Sequence, residues 1–365
     1  SNFLMNVIQR NVVTKNLGCI MWVFSRSFAS LWMTILCLFL CFPSQVEAQD
    51  SFRVLFWNTE NLFDCKDDPK KNDNEFLPEA TRHWTYFRYR DKIKNLAKGI
   101  IASGTDYVPD LVGLCEVEND SCLYDLTRRS PLKEAGYRYV MTDSPDQRGI
   151  DVALLYQRGS FKLIQHQSIR IPSRQIKKSP TRDILHVVGK VISGDTLDVM
   201  VCHFPSRSGG KAKSEIHRLL VAEILKQKVD SVIQVRQHPS VIIMGDFNDE
   251  PTDKSMKGLC AEGRLRNLMK GNQEGTYRYR GEWGILDQFL VSENLLDKKG
   301  SIRTSGKKAQ VLRHEFLLEE DEKHGGDKPY RTYNGMKYQG GFSDHLPIAL
   351  DLQIFIRDDK DYCSE

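Results

Sequence analysis

Residues 242–251 read IIMGDFNDEP. A short apolar run, Val241 to Met244, passes through Gly245 into Asp246, Phe247, Asn248 and Asp249. The run has the length and bounding glycine of a buried strand. Side chains two residues apart on an extended chain face the same way, so Asp246 and Asn248 are expected to project together from one strand end. Asp, Asn and Gly are common turn formers, so a polar turn behind a core strand is one reading. A site that orients something small and polar, such as a metal ion or a water, is the other, and the rest of the chain bears on the choice.

Outward from this stretch the chain alternates strands with a few amphipathic helices. Strands are predicted at FRVLFWN (52–58), DLVGLCE (110–116), 150–156, 163–171, 185–192, 197–203, 285–291 and 347–354. Ser193-Gly194-Asp195 supplies a turn between two of them. Residues 91–104 place Ile93, Leu96, Ala97, Ile100 and Ile101 at helical spacing and stop at Gly104. Residues 212–229 read as a helix with Ile216, Leu219, Leu220 and Ile224 on one face, and Thr252 stands where it could cap a short helix. Many strands with few helices predict two packed sheets covered by helices on the outside.

The first 48 residues read differently. Residues 30–42 form an uncharged apolar run, Arg26 precedes it, and Val46-Glu47-Ala48 offers small residues before a cut after Ala48. This is the layout of a secretory signal in an exported, bacterial protein, placed in the periplasm or outside the cell. The run is short for a span of about 20 residues, so no stable membrane association is expected after cleavage. Residues 49–365 contain no Pro/Ser-rich linker, low-complexity tract or repeat, and are read as one domain, expected to be monomeric.

The whole chain carries 52 Lys and Arg against 48 Asp and Glu. Removing Arg10, Lys15, Arg26 and Glu47 with the leader leaves 49 against 47, a balance that announces no nucleic-acid binder and excludes none. Nine cysteines fall to six: Cys65, Cys115, Cys122, Cys202, Cys260 and Cys363. No C-x-x-C pair occurs, which removes support for a zinc ribbon, and the scattered spacing argues against a disulfide framework. Export permits a disulfide without indicating which.

Several predicted strands end in polar residues that a strand end does not need. Asn58 and Glu60 follow FRVLFW, Glu116 ends LVGLC, Asp151 opens VALLY, and His203 ends LDVMVC. Asp246 and Asn248 follow VIIMG, Asp287 interrupts GILDQFLV, and Ser343-Asp344-His345 stands before the last strand. Each alone suits a cap or a satisfied core group. Together they matter, because strand ends in one layered fold converge on one rim.

These residues resemble a known family. WNTEN (57–61), GLCEVEN (113–119), GIDVALLY (149–156), HFPSRSGG (203–210), GDFND (245–249), ILDQFLVS (285–292) and FSDHLPI (342–348) match, in order, the blocks of the endonuclease/exonuclease/phosphatase family. The likeness spans roughly residues 52–354. It implies a deoxyribonuclease I-like, four-layer α/β sandwich with two mixed sheets, and metal-assisted hydrolysis of phosphoesters. By resemblance Glu116 is the principal ligand of Mg²⁺ or Mn²⁺, with Asn58, Glu60 and Asp344 completing or surrounding the site. Glu60 stands where several relatives carry Asp. Asp246 would orient or deprotonate the attacking water and Asn248 would hold phosphate or water. His345 would be backed by Asp287, and His203 by Asp151.

Behind His203, PSRSGGKAKSEIHR (205–218) offers Arg207, Lys211, Lys213 and Arg218 as phosphate ligands, or simply as a solvated helix start. TYRYRGEW (276–283) and RHWTYFRYR (82–90) mix aromatics with arginines, which suits base stacking and an ordinary surface hairpin equally. The leading expectation is an exported nuclease. The alternative is a phosphatase or phosphodiesterase on a phospholipid head group or a small phosphorylated metabolite, although no long apolar hairpin for membrane docking is present. A non-catalytic binding domain is a third class, disfavoured because every block retains its polar residues.

Overall fold

The computed structural model describes residues 48–172, 180–306 and 308–356. The expected signal at 1–48, apart from its last residue, and Cys363 lie outside these residues.

Two mixed sheets form the centre. The first joins β1 (Ala48–Leu62), β2 (Leu111–Val117), β3 (Arg138–Met141), β4 (Asp151–Tyr156), β13 (Ile302–Thr304), β14 (Gln310–Val311) and β19 (Ile348–Ile356). Their order is β13-β19-β1-β2-β4-β3, with β14 also on β19. The second joins β5 (Phe161–Ile169), β6 (Ile184–Val191), β7 (Thr196–His203), β8 (Ser240–Asp246), β9 (Leu265–Asn267) and β12 (Asp287–Ser292) in the order β5-β6-β7-β8-β12-β9. Each sheet has one parallel pair at its centre, β1 with β2 and β7 with β8. Small hairpins β10/β11 (Tyr277–Tyr279, Glu282–Gly284), β15/β16 (Leu318–Glu320, Asp327–Pro329) and β17/β18 (Tyr333–Asn334, Lys337–Tyr338) lie outside the sheets.

The all-apolar run of β8 follows from burial on both faces. Ile242 and Met244 join the core between the sheets, while Val241 and Ile243 join a second cluster beneath the helices α3 (Lys211–Val235) and α4 (Lys254–Cys260). The sheets approach closely at Gly113, where a Cβ would lie 2.8 Å from Met244 Sδ. On the far side α1 (Tyr86–Ala102) and α2 (Asp120–Arg128) add Ile93, Leu96, Ile100, Leu123 and Leu126 to the central core. Helix, sheet, sheet, helix is the four-layer α/β sandwich the resemblance implies.

Three local expectations change. α1 begins at Tyr86, five residues early, because Thr85 caps it through the Arg88 N–H. α4 is preceded by Asp253 rather than Thr252, and that residue makes no side-chain capping bond. The buried face of α3 is Ser214, Arg218, Val221, Ala222, Leu225, Val229 and Val232, whereas Ile216 is exposed. An arginine in the buried stripe hid that periodicity. Cys65, Cys115, Cys122, Cys202 and Cys260 are free thiols. Among the described residues no helix is long and apolar enough to cross a membrane.

Candidate active site

The register brings the polar strand ends together. His203 at the end of β7 and Asp287 at the start of β12 both pair with Asp246 at the end of β8. From the facing sheet come Asn58 on β1, Glu116 on β2, Asp151 at the start of β4, and the segment before β19. That segment is pinned to β1, since Trp57 Nε1 donates to His345 O at 2.9 Å and Ser343 Oγ donates to Asn58 O at 2.6 Å.

Four site residues hold the left-handed backbone region that only glycine enters freely: Glu60 (φ 51°), Asn61 (φ 56°), Glu116 (φ 61°) and Asn248 (φ 50°). Glu116 lies where the pairing of β2 with β4 skips between Cys115 and Val117. This bulge re-aims its carboxylate. Asn248 corrects the opening geometric expectation. The strand ends at Asp246, and the Asn248 N–H turns back to Asp246 Oδ1 at 2.9 Å while its side-chain amide donates to Phe204 O at 3.2 Å. A turn, not strand alternation, places the two residues together.

Asp246 is the hub. Asn58 Nδ2 donates to its Oδ2 at 3.1 Å, with His203 Nε2 at 3.7 Å and His345 Nε2 at 3.9 Å. Burial pushes the Asp246 carboxyl up to about 7, against the pull of the His345 charge. The two histidines differ. For His345 burial opposes the charge, but Asp287, 2.7 Å from Nδ1, and Asp246 outweigh it and raise the ring to about 10. His203 is pushed well below its ordinary value by burial and by Arg182 and Arg148. At neutral pH one is an imidazolium and the other a neutral imidazole. The expected His203–Asp151 pair does not form. Asp151 instead accepts from the Thr142 and Ser144 hydroxyls and the Ser144 N–H, all three bonds going to Oδ1, and among the described residues His203 Nδ1 has no hydrogen-bond partner. Tyr277 packs its ring 4.8 Å from that of His345.

Glu116 Oε2 accepts from the Asn61 N–H at 2.9 Å, and Oε1 stands 3.8 Å from His203 Nε2 with no donor to it among the described residues. Glu116 and Asp246 both lie within 4 Å of His203 Nε2, and Asn58 Oδ1 accepts from the Glu60 N–H at 2.9 Å; oxygen donors of this kind suit a hard divalent cation such as Mg²⁺ or Mn²⁺. Glu60 and Asp344 are otherwise engaged. Glu60 Oε2 accepts from the Thr332 N–H at 2.6 Å, its Oε1 lies 3.3 Å from Arg331 Nε, and the buried Lys92 ammonium sits 4.0 Å behind it. Arg331 Nη2 reaches Asp344 Oδ2 at 3.0 Å. Asp246, Asp287 and His345 also bring ligand-type atoms within 4.8 Å of one another. His345 Nδ1 is bonded to Asp287 at 2.7 Å while its Nε2 lies 3.9 Å from Asp246, so the trio is joined by one hydrogen bond and one longer ion pair.

The basic stretch is largely neutralised. Arg218 is fully buried, 2.7 Å from Asp249, and is corrected from substrate ligand to core ion pair. Lys211 pairs with Asp253 at 2.7 Å, and Arg207 donates to Asn248 O at 2.7 Å with its other end 3.6 Å from Asp253. Lys213 is exposed at the start of α3. TYRYRGEW forms the β10/β11 hairpin. Motif reading missed Lys92, Arg148, Arg182 and Arg331. Only Lys92 left a signal, since it occupies the apolar stripe of α1 with Tyr89, Ile93 and Leu96.

Similarity to known proteins agrees with this geometry. Nocturnin of Xenopus laevis is 26% identical over 220 residues, covering 58% of this chain and 51% of that protein. The match therefore spans about half the length of that relative. An endonuclease/exonuclease/phosphatase family protein from Bacteroides thetaiotaomicron superposes with a TM-score of 0.55 at 17% identity, over 85% of this chain and 100% of its own. A mannosyl-6-phosphatase from the same organism gives 0.53 at 17%, over 82% and 99%. At such identity the likeness shows the fold alone. The sequence profile of the endonuclease/exonuclease/phosphatase family matches residues 53–354, and the chain belongs to that family.

Proposed function

We propose that the protein is an exported, divalent-metal-dependent phosphoester hydrolase, a single catalytic domain over residues 49–365 behind a leader at 1–48, acting on a small phosphorylated substrate. The reading is carried by the convergence of polar strand ends on Asp246, a buried carboxylate with the Asn58 amide at 3.1 Å and the His203 and His345 rings at 3.7 and 3.9 Å, whose carboxyl burial pushes upward. A base with its pKa near working pH is efficient at taking a proton from water. Glu116, with Asn58 nearby, would hold the ion, which would supply charge neutralisation on the phosphate oxygens. Asp246 takes the proton as the water oxygen bonds to phosphorus, and the ester oxygen departs as it takes up a proton from solvent. The His345 imidazolium stabilises the charge on the phosphoryl group, and His203 contributes a neutral hydrogen bond.

The small-substrate reading is favoured because the cations suited to tracking a polynucleotide, Arg207, Lys211 and Arg218, already have carboxylate partners. A nucleic-acid phosphodiesterase is the second reading. One observation favours it: Tyr279 is 59% exposed with the Arg280 guanidinium 5.1 Å over its ring, on the hairpin that carries Tyr277 against His345. The test is hydrolysis of plasmid DNA, RNA, phospholipids and phosphomonoesters with Mg²⁺ or Mn²⁺, with Asp246→Asn beside the wild type. Turnover of monoesters only, with shallow salt dependence, is expected. Turnover of polynucleotide that weakens steeply with salt would replace the first reading by the second.

A further inference from the structure

The Lys92 ammonium is buried beneath the catalytic rim, and no step above uses it. It projects from the core stripe of α1 and donates to Thr332 Oγ1 at 2.6 Å and to Phe342 O at 2.5 Å, with Glu60 Oε2 at 4.0 Å. These partners come from three separate segments: the end of β1, the residue before β17, and the approach to Ser343-Asp344-His345. Asn95, three residues on along α1, fastens the same approach by donating to Gly340 O at 2.9 Å and Gly341 O at 3.0 Å. The ammonium is therefore fixed by the fold and has no room to swing aside.

Arg331 completes the arrangement. One edge of its guanidinium spans two carboxylates, with Nε 3.3 Å from Glu60 Oε1 and Nη2 3.0 Å from Asp344 Oδ2. Glu60 Oε2 is filled by the Thr332 N–H at 2.6 Å. Two carboxylates thus face two cations. Among the described residues, Glu60, Glu116 and Asp344 do not bring ligand atoms within 4.8 Å of one another as a trio. Mg²⁺ holds its oxygens at about 2.1 Å, so any two of them lie within about 4.2 Å. An ion between Glu60 and Asp344 would displace Arg331 and then stand beside a buried ammonium with little solvent to screen it. Burial pulls Lys92 down to about 8, which leaves it charged at neutral pH. Burial and the Asp344 charge push the Glu60 carboxyl upward, and a proton there would oppose a metal ion as a cation does. Glu116 differs, because its Oε1 has no donor among the described residues.

We propose that Lys92 and Arg331 are a built-in pair of cations that closes Glu60 and Asp344 to metal, so that the protein takes a single divalent ion, at Glu116. The proposal rests on the metal-dependent reading above and adds to it the number of ions and the removal of two carboxylates from the ligand set. Lys92 is a positioning residue, since it holds Glu60 and the Thr332 segment from which Arg331 projects.

The test is Mn²⁺ binding to the full chain, read by electron paramagnetic resonance of the free ion and by titration calorimetry, with no turnover involved. The wild type is expected to bind one ion per chain. Glu60→Gln is expected to change its affinity less than fivefold, because the amide oxygen can keep the Thr332 N–H bond and no ligand is lost. Lys92→Met combined with Arg331→Met is expected to gain a second ion at the uncovered carboxylates. Two ions on the wild type, a loss of fivefold or more in Glu60→Gln, or a double variant that still binds one ion with unchanged affinity would each overturn the closure. If the wild type binds no Mn²⁺, the metal-dependent reading fails on its own: a double variant that then gains an ion upholds the closure, and one that binds none overturns it. Should the double variant not fold, Arg331→Met alone stands in with the same outcomes, since that side chain lies nearer the surface.

Discussion

Replacing Arg218 with Met separates a phosphate ligand from a structural ion pair. The Arg218 side chain is fully buried, with Nε 2.7 Å from Asp249 Oδ1, Nη1 donating to Ser214 Oγ at 2.8 Å and Nη2 to Lys211 O at 3.0 Å. Asp249 is equally buried and has one other side-chain donor, Ser255 Oγ at 2.6 Å. Methionine keeps most of the volume and leaves a buried carboxylate without its cation. Removing one partner of such a pair costs about 3–5 kcal/mol, mostly as the penalty on the charge left behind. In a domain of about 300 residues that is a fall in Tm of roughly 5–8 °C. The assay is urea and thermal unfolding beside steady-state kinetics on the best phosphoester. The expected outcome is a large loss of stability with KM of the folded protein unchanged. Adding Asp249→Asn should recover part of the loss, because the stranded charge is then gone. A variant of wild-type stability with a raised KM would refute this reasoning and return Arg218 to the substrate.

Other expectations follow from the same geometry. Glu116→Gln should weaken Mn²⁺ binding at least tenfold, read by electron paramagnetic resonance of the free ion, and unchanged affinity would remove Glu116 from the metal site. Asp246→Asn should lower kcat by 10²–10⁴ with the fold retained, the range general-base catalysis supplies; a variant within threefold of wild type would exclude Asp246 as the base. The Asp287–His345 pair raises the folded-state histidine from 6.5 to about 10. Its contribution to stability is fully present below pH 6.5 and is lost as pH rises through about 10. Unfolding free energy should therefore decline across that window, and Asp287→Asn should flatten the decline; identical pH profiles would refute the assignment. Gly113→Ala places a methyl 2.8 Å from Met244 Sδ and should cost about 1–3 kcal/mol by overpacking between the sheets, measured by urea unfolding.

Much was legible because periodicity and short motifs are local. The strands at 52–58, 110–116 and 241–245 are announced by β-branched and apolar runs, and the polar residues that break each run mark the rim. The order of seven blocks carries the fold class, and Asp246, Asp287, His345, His203 and Glu116 stand out in the chain as polar residues at predicted strand ends. Where the reading slipped, a local rule was overridden by a distant partner. Arg218 looked like a surface cation because nothing nearby in the chain shows that Asp249 lies beneath it. The resemblance paired Asp151 with His203, whereas Asp151 Oδ1 accepts from Thr142 and Ser144, partners the motifs do not include.

Sequence alone determined the secondary structure pattern, the layered sandwich and the inventory of site side chains, since these depend on residue type and spacing. Tertiary structure decided which groups touch and therefore their charge. It made His345 a cation and His203 neutral, because one faces a buried carboxylate at 2.7 Å and the other faces burial and two arginines. It placed Arg331 between Glu60 and Asp344, 271 residues from the first and 13 from the second, a link no window of sequence contains. Burial and pairing act through space at a few ångströms, and the chain records only which residues are available to meet.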